Sequence, residues 1–187
     1  VYKRQVVGAV ALAVAAQTLM EVGMETIAAH EEALIAYALE RLQTVPGVKI
    51  YGETDPARAA EKVGVIPFNL DGVSHFLLAA ILGYEGGIGV RSGCFCAHPY
   101  VVHLLDLPEA ESSTWRQQLL SGDKSNMPGM VRASFGCYNH FDDVDRLVEM
   151  VERVARGDYQ GDYCLDRATG AYTPAGYEEP LSAYFAL

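Results

Sequence analysis

The sequence has few basic residues, and this scarcity excludes several classes of protein. Its 187 residues contain 14 lysines and arginines against 24 aspartates and glutamates, so the formal net charge is −10. Nucleic acids and anionic membranes are bound through clustered lysine and arginine, so we expect neither as a partner. The acidic residues are spread over helix-like segments, and this pattern is typical of a solvated surface.

The chain also lacks the short motifs of common nucleotide and hydrolase sites. It contains no G-x-x-x-x-G-K-[ST], no G-x-S-x-G and no G-x-G-x-x-G. Cysteine is scarce as well, with four residues at positions 94, 96, 137 and 164. A chain of this length, half of it apolar, can build a core without disulfides. We therefore expect free thiols in a reducing compartment.

The N-terminal segment V-Y-K-R-Q-V-V-G-A-V-A-L-A-V-A-A-Q imitates a secretory signal, with basic residues, an apolar run and small residues near the end. Two features argue against that interpretation. The helical pattern continues unbroken to residue 22, and the apolar run is too short to span a bilayer. Because the sequence does not begin with Met, we expect a fragment that starts inside a longer protein.

The hydrophobic pattern predicts alternating helices and strands. Helices are predicted over 5–22 and 24–45, after Ser74 as a cap, from Pro99, around Trp115, and from Asn139 as a cap to Gly157. Strands are predicted at 48–52, 63–72, 88–93 and 130–139. Pro67 indicates that the second of these is an edge strand or carries a bulge.

This order of elements indicates an α/β fold in two layers, with a small mixed sheet packed by helices. We expect an N-terminal helical segment at residues 1–23 and a small domain at residues 24–157. The segment 158–187 is rich in tyrosine, glycine and proline without helical period, and we expect an irregular tail.

The stretch G-I-G-V-R-S-G-C-F-C-A-H-P, residues 87–99, has the densest group of chemically capable residues. Cys96 lies about one turn before the helix expected at Pro99, and Arg91 lies upstream in the same stretch. A helix N-terminus and a nearby guanidinium both lower a thiol pKa, as a nucleophilic cysteine requires. An inert cysteine packed under the loop is the alternative that these features leave open.

The same stretch offers potential metal ligands in Cys94, Cys96, His98 and His103. Their spacing differs from that of an ordinary zinc site, which uses two separated pairs of ligands. We therefore expect no metal. Cys94 could instead be a second thiol that traps or relays sulfur, or a residue of the core.

Arg132 is the second candidate, in the predicted strand M-V-R-A-S-F-G. Alternation places Val131 and Ala133 on one face and Arg132 on the other. The planar guanidinium fits a carboxylate through two parallel hydrogen bonds. On the pattern alone, a salt bridge to one of the acidic side chains explains this arginine better than a substrate does.

Two segments together resemble a known family: G-I-G-V-R-S-G-C-F-C-A-H-P and V-R-A-S-F-G-C-Y-N-H-F-D-D-V-D-R-L-V-E-M-V. They are similar to the C-terminal part of class V, fold-type I pyridoxal-phosphate enzymes, in particular SUF-type cysteine desulfurases and selenocysteine lyases. The resemblance covers roughly residues 6 to 156. It implies the small C-terminal domain of such an enzyme, with residues 1–23 as a remnant of the large pyridoxal-phosphate domain.

The resemblance implies roles for individual residues. Cys96 corresponds to the nucleophile that takes the substrate sulfur and becomes a persulfide. Arg132 corresponds to the arginine that holds the substrate carboxylate, and Arg91 to a residue beside the same pocket. Cys94 and His98 are possible accessory residues. The protein it implies is a cytoplasmic homodimer that converts cysteine or selenocysteine to alanine and passes the sulfur or selenium to an acceptor protein.

The resemblance has departures and rivals. Many relatives have a histidine at the position of Cys94, and G-C-F-C is similar to molybdenum-cofactor sulfurases. Another class V aminotransferase or epimerase is a further alternative, and an acceptor-binding interaction domain is a non-enzymatic one. The family's Schiff-base lysine precedes these segments, and no lysine of this chain, at positions 3, 49, 62 and 124, stands in its motif. We therefore expect the cofactor site outside this chain, and the chain alone to be inactive.

Overall fold

The computed structural model describes residues 2–108, 115 and 117–178. The helices are α1 (Tyr2–Val22), α2 (Met24–Leu42), α3 (His75–Tyr84), α4 (His98–Leu104) and α5 (Phe141–Ala155), with a 3₁₀ helix at Pro56–Glu61. The strands are β1 (Val48–Ile50), β2 (Val65–Leu70), β3 (Arg91–Gly93), β4 (Met130–Ser134), β5 (Tyr163–Leu165) and β6 (Tyr172–Pro174). Trp115 and residues 117–120 are also helical. The rest of the helix predicted around Trp115 lies outside the described residues.

The main sheet has the strand order β1-β2-β4-β3, and all three pairings are antiparallel. Strands β2 and β3, joined by α3, run in the same direction, but β4 lies between them. The predicted α/β fold class is confirmed, whereas the expected mixed sheet is antiparallel throughout. The inserted strand is the reason, because it separates the two strands that would have paired in parallel.

Pro67 lies on an interior strand, so the prediction of an edge strand or bulge was wrong. It is paired with Arg132 of β4 on one side. On the other side its carbonyl accepts a hydrogen bond from Tyr51 N at 3.0 Å, just beyond the end of β1. A residue's N–H and C=O point to the same neighbour. The side of Pro67 that lacks an N–H donor therefore faces the end of the short strand β1. The missing hydrogen bond disrupts the sheet little at that place.

One face of the sheet carries the main core. Ile66 and Phe68 of β2 and Val131 of β4 are completely buried, and they pack with the apolar faces of α2, α3 and α5. Ser74 caps α3 by accepting a hydrogen bond from Phe76 N, as predicted. Helix α5 begins one residue later than predicted, with His140 as its N-cap in place of Asn139.

The opposite face of the sheet carries a smaller cluster of Tyr51, Cys94, Val101 and Met130. Val101 belongs to α4 and Met130 to β4, so this cluster fixes α4 and the preceding loop against one end of the sheet. Met130 and Arg132 share this face because side chains alternate along a strand. The candidate chemical residues of the sequence therefore meet on the face away from the main core.

The segment after α5 contains a hairpin of β5 and β6, in which Tyr163 is paired with Pro174. The expectation of an irregular tail was wrong for this part. Asp166 closes the turn, because its carboxylate accepts hydrogen bonds from Ala168 N at 2.9 Å and Thr169 Oγ1 at 2.7 Å. Strands of three residues are too short for alternation to reveal them.

Helix α1 stands apart from the two clusters. Gly23, with φ of 97°, separates it from α2, and the helix axes of residues 6–22 and α2 are bent by 76°. Apolar side chains along it are open to solvent, with exposed fractions of 71% at Val7, Leu12 and Met20. Among the described residues no single helix is long and apolar enough to cross a membrane, although this bent pair meets the length and composition criteria together.

Glu85 joins the end of α3 to the segment that follows α5. Its carboxylate accepts hydrogen bonds from Gln160 N and Gly161 N, at 3.0 and 3.1 Å, and from the Tyr163 hydroxyl at 3.0 Å. Burial raises the pKa of this carboxyl, but the three donors and nearby Arg153 outweigh burial and hold the pKa below its ordinary value. The ionised form is therefore favoured in the folded chain.

We expect Glu85→Gln to lower the free energy of unfolding by about 1–2 kcal/mol at pH 7, because a charged acceptor is lost. The folded pKa is lower than the unfolded one, so this stabilisation is complete above about pH 4.3 and is lost as the pH falls through the folded pKa. Urea unfolding at several pH values measures the difference, with exposed Glu149→Gln as the control. A deficit that persisted unchanged at pH 3 would contradict this linkage.

Candidate functional site

The site is built on a tight turn at residues 94–97, directly after β3. Ala97 N donates to Cys94 O at 2.8 Å, which closes the turn. Phe95 and Cys96 between them have φ of 53° and 61°. Positive φ at both central residues defines a type I′ turn, which normally takes asparagine or glycine. Such conformations in larger residues persist only where the surroundings impose them, and they concentrate at functional sites.

Cys96 occupies the third position of this turn and is exposed to solvent. Ala97 is the N-cap of α4, which begins at His98, one residue before the position predicted from Pro99. The structure therefore places Cys96 two residues before the helix, slightly nearer than the one turn that the sequence predicted, and leaves it exposed. A thiol in this position can reach a small molecule or a partner protein.

Arg91 and Arg132 are directly opposite each other in the pairing of β3 with β4. Opposite residues of an antiparallel pair project from the same face, with Cβ atoms about 5 Å apart. Two like charges so placed repel each other. A bound anion between them would turn this repulsion into attraction.

Arg91 and Arg132 form no ion pair or side-chain hydrogen bond with the described part of the chain. Among the described residues, neither forms an ion pair with a carboxylate, and Arg132 Nε is buried without an acceptor. Arg146 donates to Gly86 O. Ion pairs with carboxylates are made by Arg41, Arg58, Arg153, Arg156 and Arg167. The salt bridge weighed for Arg132 on the sequence pattern is thus not found among the described residues.

Phe95 connects the turn to the arginines, and sequence analysis missed it. The Arg132 guanidinium carbon lies 5.0 Å from the centre of the Phe95 ring, within the range of a cation–π interaction. Cys96 follows Phe95 directly, so this contact fixes the turn beside the arginine. An aromatic residue between two cysteines was the signal available in the sequence, but its partner lies 37 positions away and could not be assigned from it.

Cys94, the possible accessory thiol, has a different environment from Cys96. Its side chain is buried, and its Sγ donates a hydrogen bond to Pro128 O at 2.9 Å. Burial raises the pKa of the Cys94 thiol, which keeps it protonated and able to donate. Of the two alternatives weighed for it, the structure shows the packed residue; a role in sulfur relay has no support in this geometry.

His98, the other possible accessory residue, is exposed as the first residue of α4. It lines an apolar groove of about 270 Å³ with Pro99, Val102, Met127 and Pro128 among others. In the part of the chain that the structure describes, no group of three or more His, Cys, Asp or Glu side chains could hold a metal ion.

A pyridoxal-phosphate site would need a lysine amine for the Schiff base. Lys49 lies on β1, which β2 separates from β4, and its ammonium is placed 5.2 Å from the Tyr51 ring centre. Lys62 Nζ donates to Glu53 O at 2.9 Å. Neither Lys49 nor Lys62 lies on a strand next to Arg91 or Arg132. The arginine pair of β3 and β4, in contrast, fits a carboxylate.

Comparison with known proteins gives consistent matches. The chain is 34% identical over 149 residues to the cysteine desulfurase of Serratia proteamaculans, covering 80% of this chain and 30% of that protein. It is 34% identical over 145 residues to a probable cysteine desulfurase of Halobacterium salinarum, covering 78% and 29%. The chain thus spans about 30% of the length of these curated relatives.

A solved structure matches as well. The apo structure of the cysteine desulfurase from Thermococcus onnurineus NA1 superposes with a TM-score of 0.58 at 27% identity, covering 75% of this chain and 29% of that one. The model of the family described as aminotransferase class-V matches residues 4–147, which include the turn, both arginines and the first seven residues of α5. The family predicted from the two quoted motifs is confirmed: this chain belongs to the class V aminotransferases and is similar to the cysteine desulfurases among them.

Proposed function

We propose that the whole protein is a cysteine desulfurase whose persulfide forms on Cys96. Cysteine and the Cys96 thiol would give alanine and Cys96–S–SH. An S–S bond forms, the C–S bond of the substrate breaks, and hydrogen takes the place of sulfur on the carbon. The carbon is reduced and the transferred sulfur is oxidised, so the reaction needs no external oxidant. Selenocysteine has the same chemistry and is a second possible substrate.

The observation that carries this proposal is an exposed thiol on a turn that contacts Arg132, one of two neighbouring arginines without a carboxylate partner among the described residues. Cys96 follows Phe95, whose ring contacts Arg132, and Arg91 lies opposite Arg132 in the sheet. An amino acid held by its carboxylate between the guanidinium groups would have its side chain within reach of a thiol on the neighbouring turn. A nucleophile near an anchored amino acid is the arrangement that sulfur transfer requires.

The roles of the chain's residues follow from their placement. Arg132 would bind the substrate carboxylate through its planar fork, and Arg91 would add a second positive charge at the same point. The type I′ turn would present Cys96 at the surface, where an acceptor protein can remove the persulfide sulfur. Pyridoxal phosphate, the cofactor of this family, supplies the electron sink that weakens the substrate C–S bond, and we propose that it is attached outside the described residues.

We also propose that α1 belongs to another domain of the whole protein. Its exposed apolar side chains, including Val7, Leu12 and Met20, support this division at Gly23, because a helix exposed on all sides rarely carries so many. The four free cysteines support a reducing, cytoplasmic location. A homodimer is proposed on the family resemblance alone.

The test is to map the persulfide in the full-length protein after incubation with L-cysteine. We expect alanine to form, and one additional sulfur to appear on Cys96 in fragment spectra of the alkylated peptide. The addition should disappear after treatment with dithiothreitol. The exposed thiols of Cys137 and Cys164 serve as internal controls and should stay unmodified. A persulfide on Cys94 alone, or transamination of another amino acid without alanine formation from cysteine, would overturn the proposal.

A further inference from the structure

Three side chains hold one short segment in front of β4. Three consecutive carbonyls, those of residues 127–129, each accept a side-chain hydrogen bond from a different part of the fold. Their donors are His75 Nε2 of α3 at 2.9 Å, Cys94 Sγ at 2.9 Å and Asn69 Nδ2 of β2 at 3.0 Å. This segment leads directly into the strand that carries Arg132. The three bonds therefore fix the start of β4 against the rest of the domain.

Cys94 differs from the other two donors because it belongs to the turn that carries Cys96. It contributes to the turn twice. Its backbone carbonyl closes the turn by accepting from Ala97 N, and its thiol attaches the turn to Pro128. Arg132 is four residues beyond Pro128, so one hydrogen bond connects the two parts of the candidate site.

The turn needs such an attachment. Phe95 and Cys96 both have positive φ, and each non-glycine residue in that region adds about 1 kcal/mol or more of strain. The Phe95–Arg132 contact restrains the turn from one side. The buried Cys94 thiol, only 5% exposed, restrains it from the other.

We propose that Cys94 is a positioning residue, whose thiol hydrogen bond to Pro128 O holds the Cys96 turn in register with Arg132. The expected effect on kcat rests on the proposed function, whereas the expected effect on the structure of the turn does not depend on it. Because Cys94 is almost fully buried and its thiol bonds to Pro128 O, it would act through the Cys96 turn and is not a catalytic residue. A shift of about 1 Å in a reacting group lowers a rate by up to about a hundredfold.

The experiment compares Cys94→Ala with Cys94→Ser in the full-length protein. We expect Cys94→Ala to lower kcat for alanine formation about tenfold, while KM for cysteine stays within about twofold, because the arginines that would hold the carboxylate lie on β3 and β4 and not on the turn. Serine keeps a donor, so Cys94→Ser should recover kcat to within about threefold of the parent. Cys164→Ala, an exposed cysteine of the hairpin, is the matched control and should match the parent.

Hydrogen exchange supplies a readout that does not depend on activity. The amide of Ala97, bonded to Cys94 O, should exchange faster in Cys94→Ala than in the parent and at the parental rate in Cys94→Ser. If Cys94→Ala fails to fold, Cys94→Val removes the donor while keeping the volume filled. Parental kcat in Cys94→Ala, a rise in KM without loss of kcat, or equal impairment of the Ser and Ala variants would overturn the proposal. A parent that forms no alanine would refute the proposed function, and hydrogen exchange would still decide whether Cys94 holds the turn.

Discussion

Cys96→Ser in the full-length protein is expected to lower the rate of alanine formation from cysteine by at least about a thousandfold. A serine hydroxyl is not ionised at neutral pH and is a poor nucleophile without an adjacent base, whereas a thiolate attacks sulfur readily. The change preserves the size of the side chain at an exposed position of the turn, so folding should be little affected. Sulfide and alanine release from cysteine measure the rate.

The matched control is Cys137→Ser, which replaces another exposed thiol outside the turn. It should retain the parental rate, and both variants should unfold at the parental temperature. Parental activity in Cys96→Ser would mean that another group accepts the sulfur, and the role assigned to Cys96 would be wrong. Thiol labelling at neutral pH adds a second check, because slow and pH-insensitive modification of Cys96 favours a class V enzyme in which this thiol is incidental.

Arg132→Ala has the second largest expected effect, a fall in kcat/KM for cysteine of about a hundredfold or more, expressed mainly in KM. The guanidinium would bind the carboxylate equally in the ground state and in the transition state, so its loss weakens binding more than chemistry. Arg132→Lys keeps the charge but not the planar fork, and should recover only part of the loss. Steady-state kinetics over a range of cysteine concentrations separates KM from kcat.

The control for charge removal is Arg167→Ala, on the hairpin turn, where the guanidinium pairs with Asp123 at 3.3 Å. It should leave KM unchanged. Arg91→Ala should raise KM less than Arg132→Ala does, because Arg91 is more exposed and its charge is better screened. An unchanged KM in Arg132→Ala, together with reduced stability, would mean that the arginine is structural.

Local sequence signals predicted the local features of the site. Ser74 was recognised as the cap of α3, and Cys96 was placed about one turn before a helix, because both depend on neighbours within four residues. Helix α5 was predicted in the same way, because its buried residues Val144, Leu147 and Val151 recur at helical spacing. Motifs of the same kind were sufficient to predict the family.

Features set by distant pairing could not be predicted in this way. The register that places Arg91 opposite Arg132 joins strands about 40 positions apart, and no local pattern specifies it. The error at Pro67 had the same origin, since only the full sheet shows that β1 ends where the proline lacks its donor. The Phe95–Arg132 and Cys94–Pro128 contacts also join residues 34 or more positions apart.

The central insertion of β4 has a consequence for how the molecule assembles. In the part of the chain that the structure describes, β3 has β4 as its only neighbour in the sheet, so a partly folded chain without β4 would not bring Arg91 and Arg132 together. Pairing of the five-residue strand β4 would bring the two guanidinium groups together and fix the Cys96 turn against Arg132 in the same step. The repulsion between the Arg91 and Arg132 guanidinium groups would therefore arise only when β4 has paired, at the stage when an anion could bind between them and relieve it.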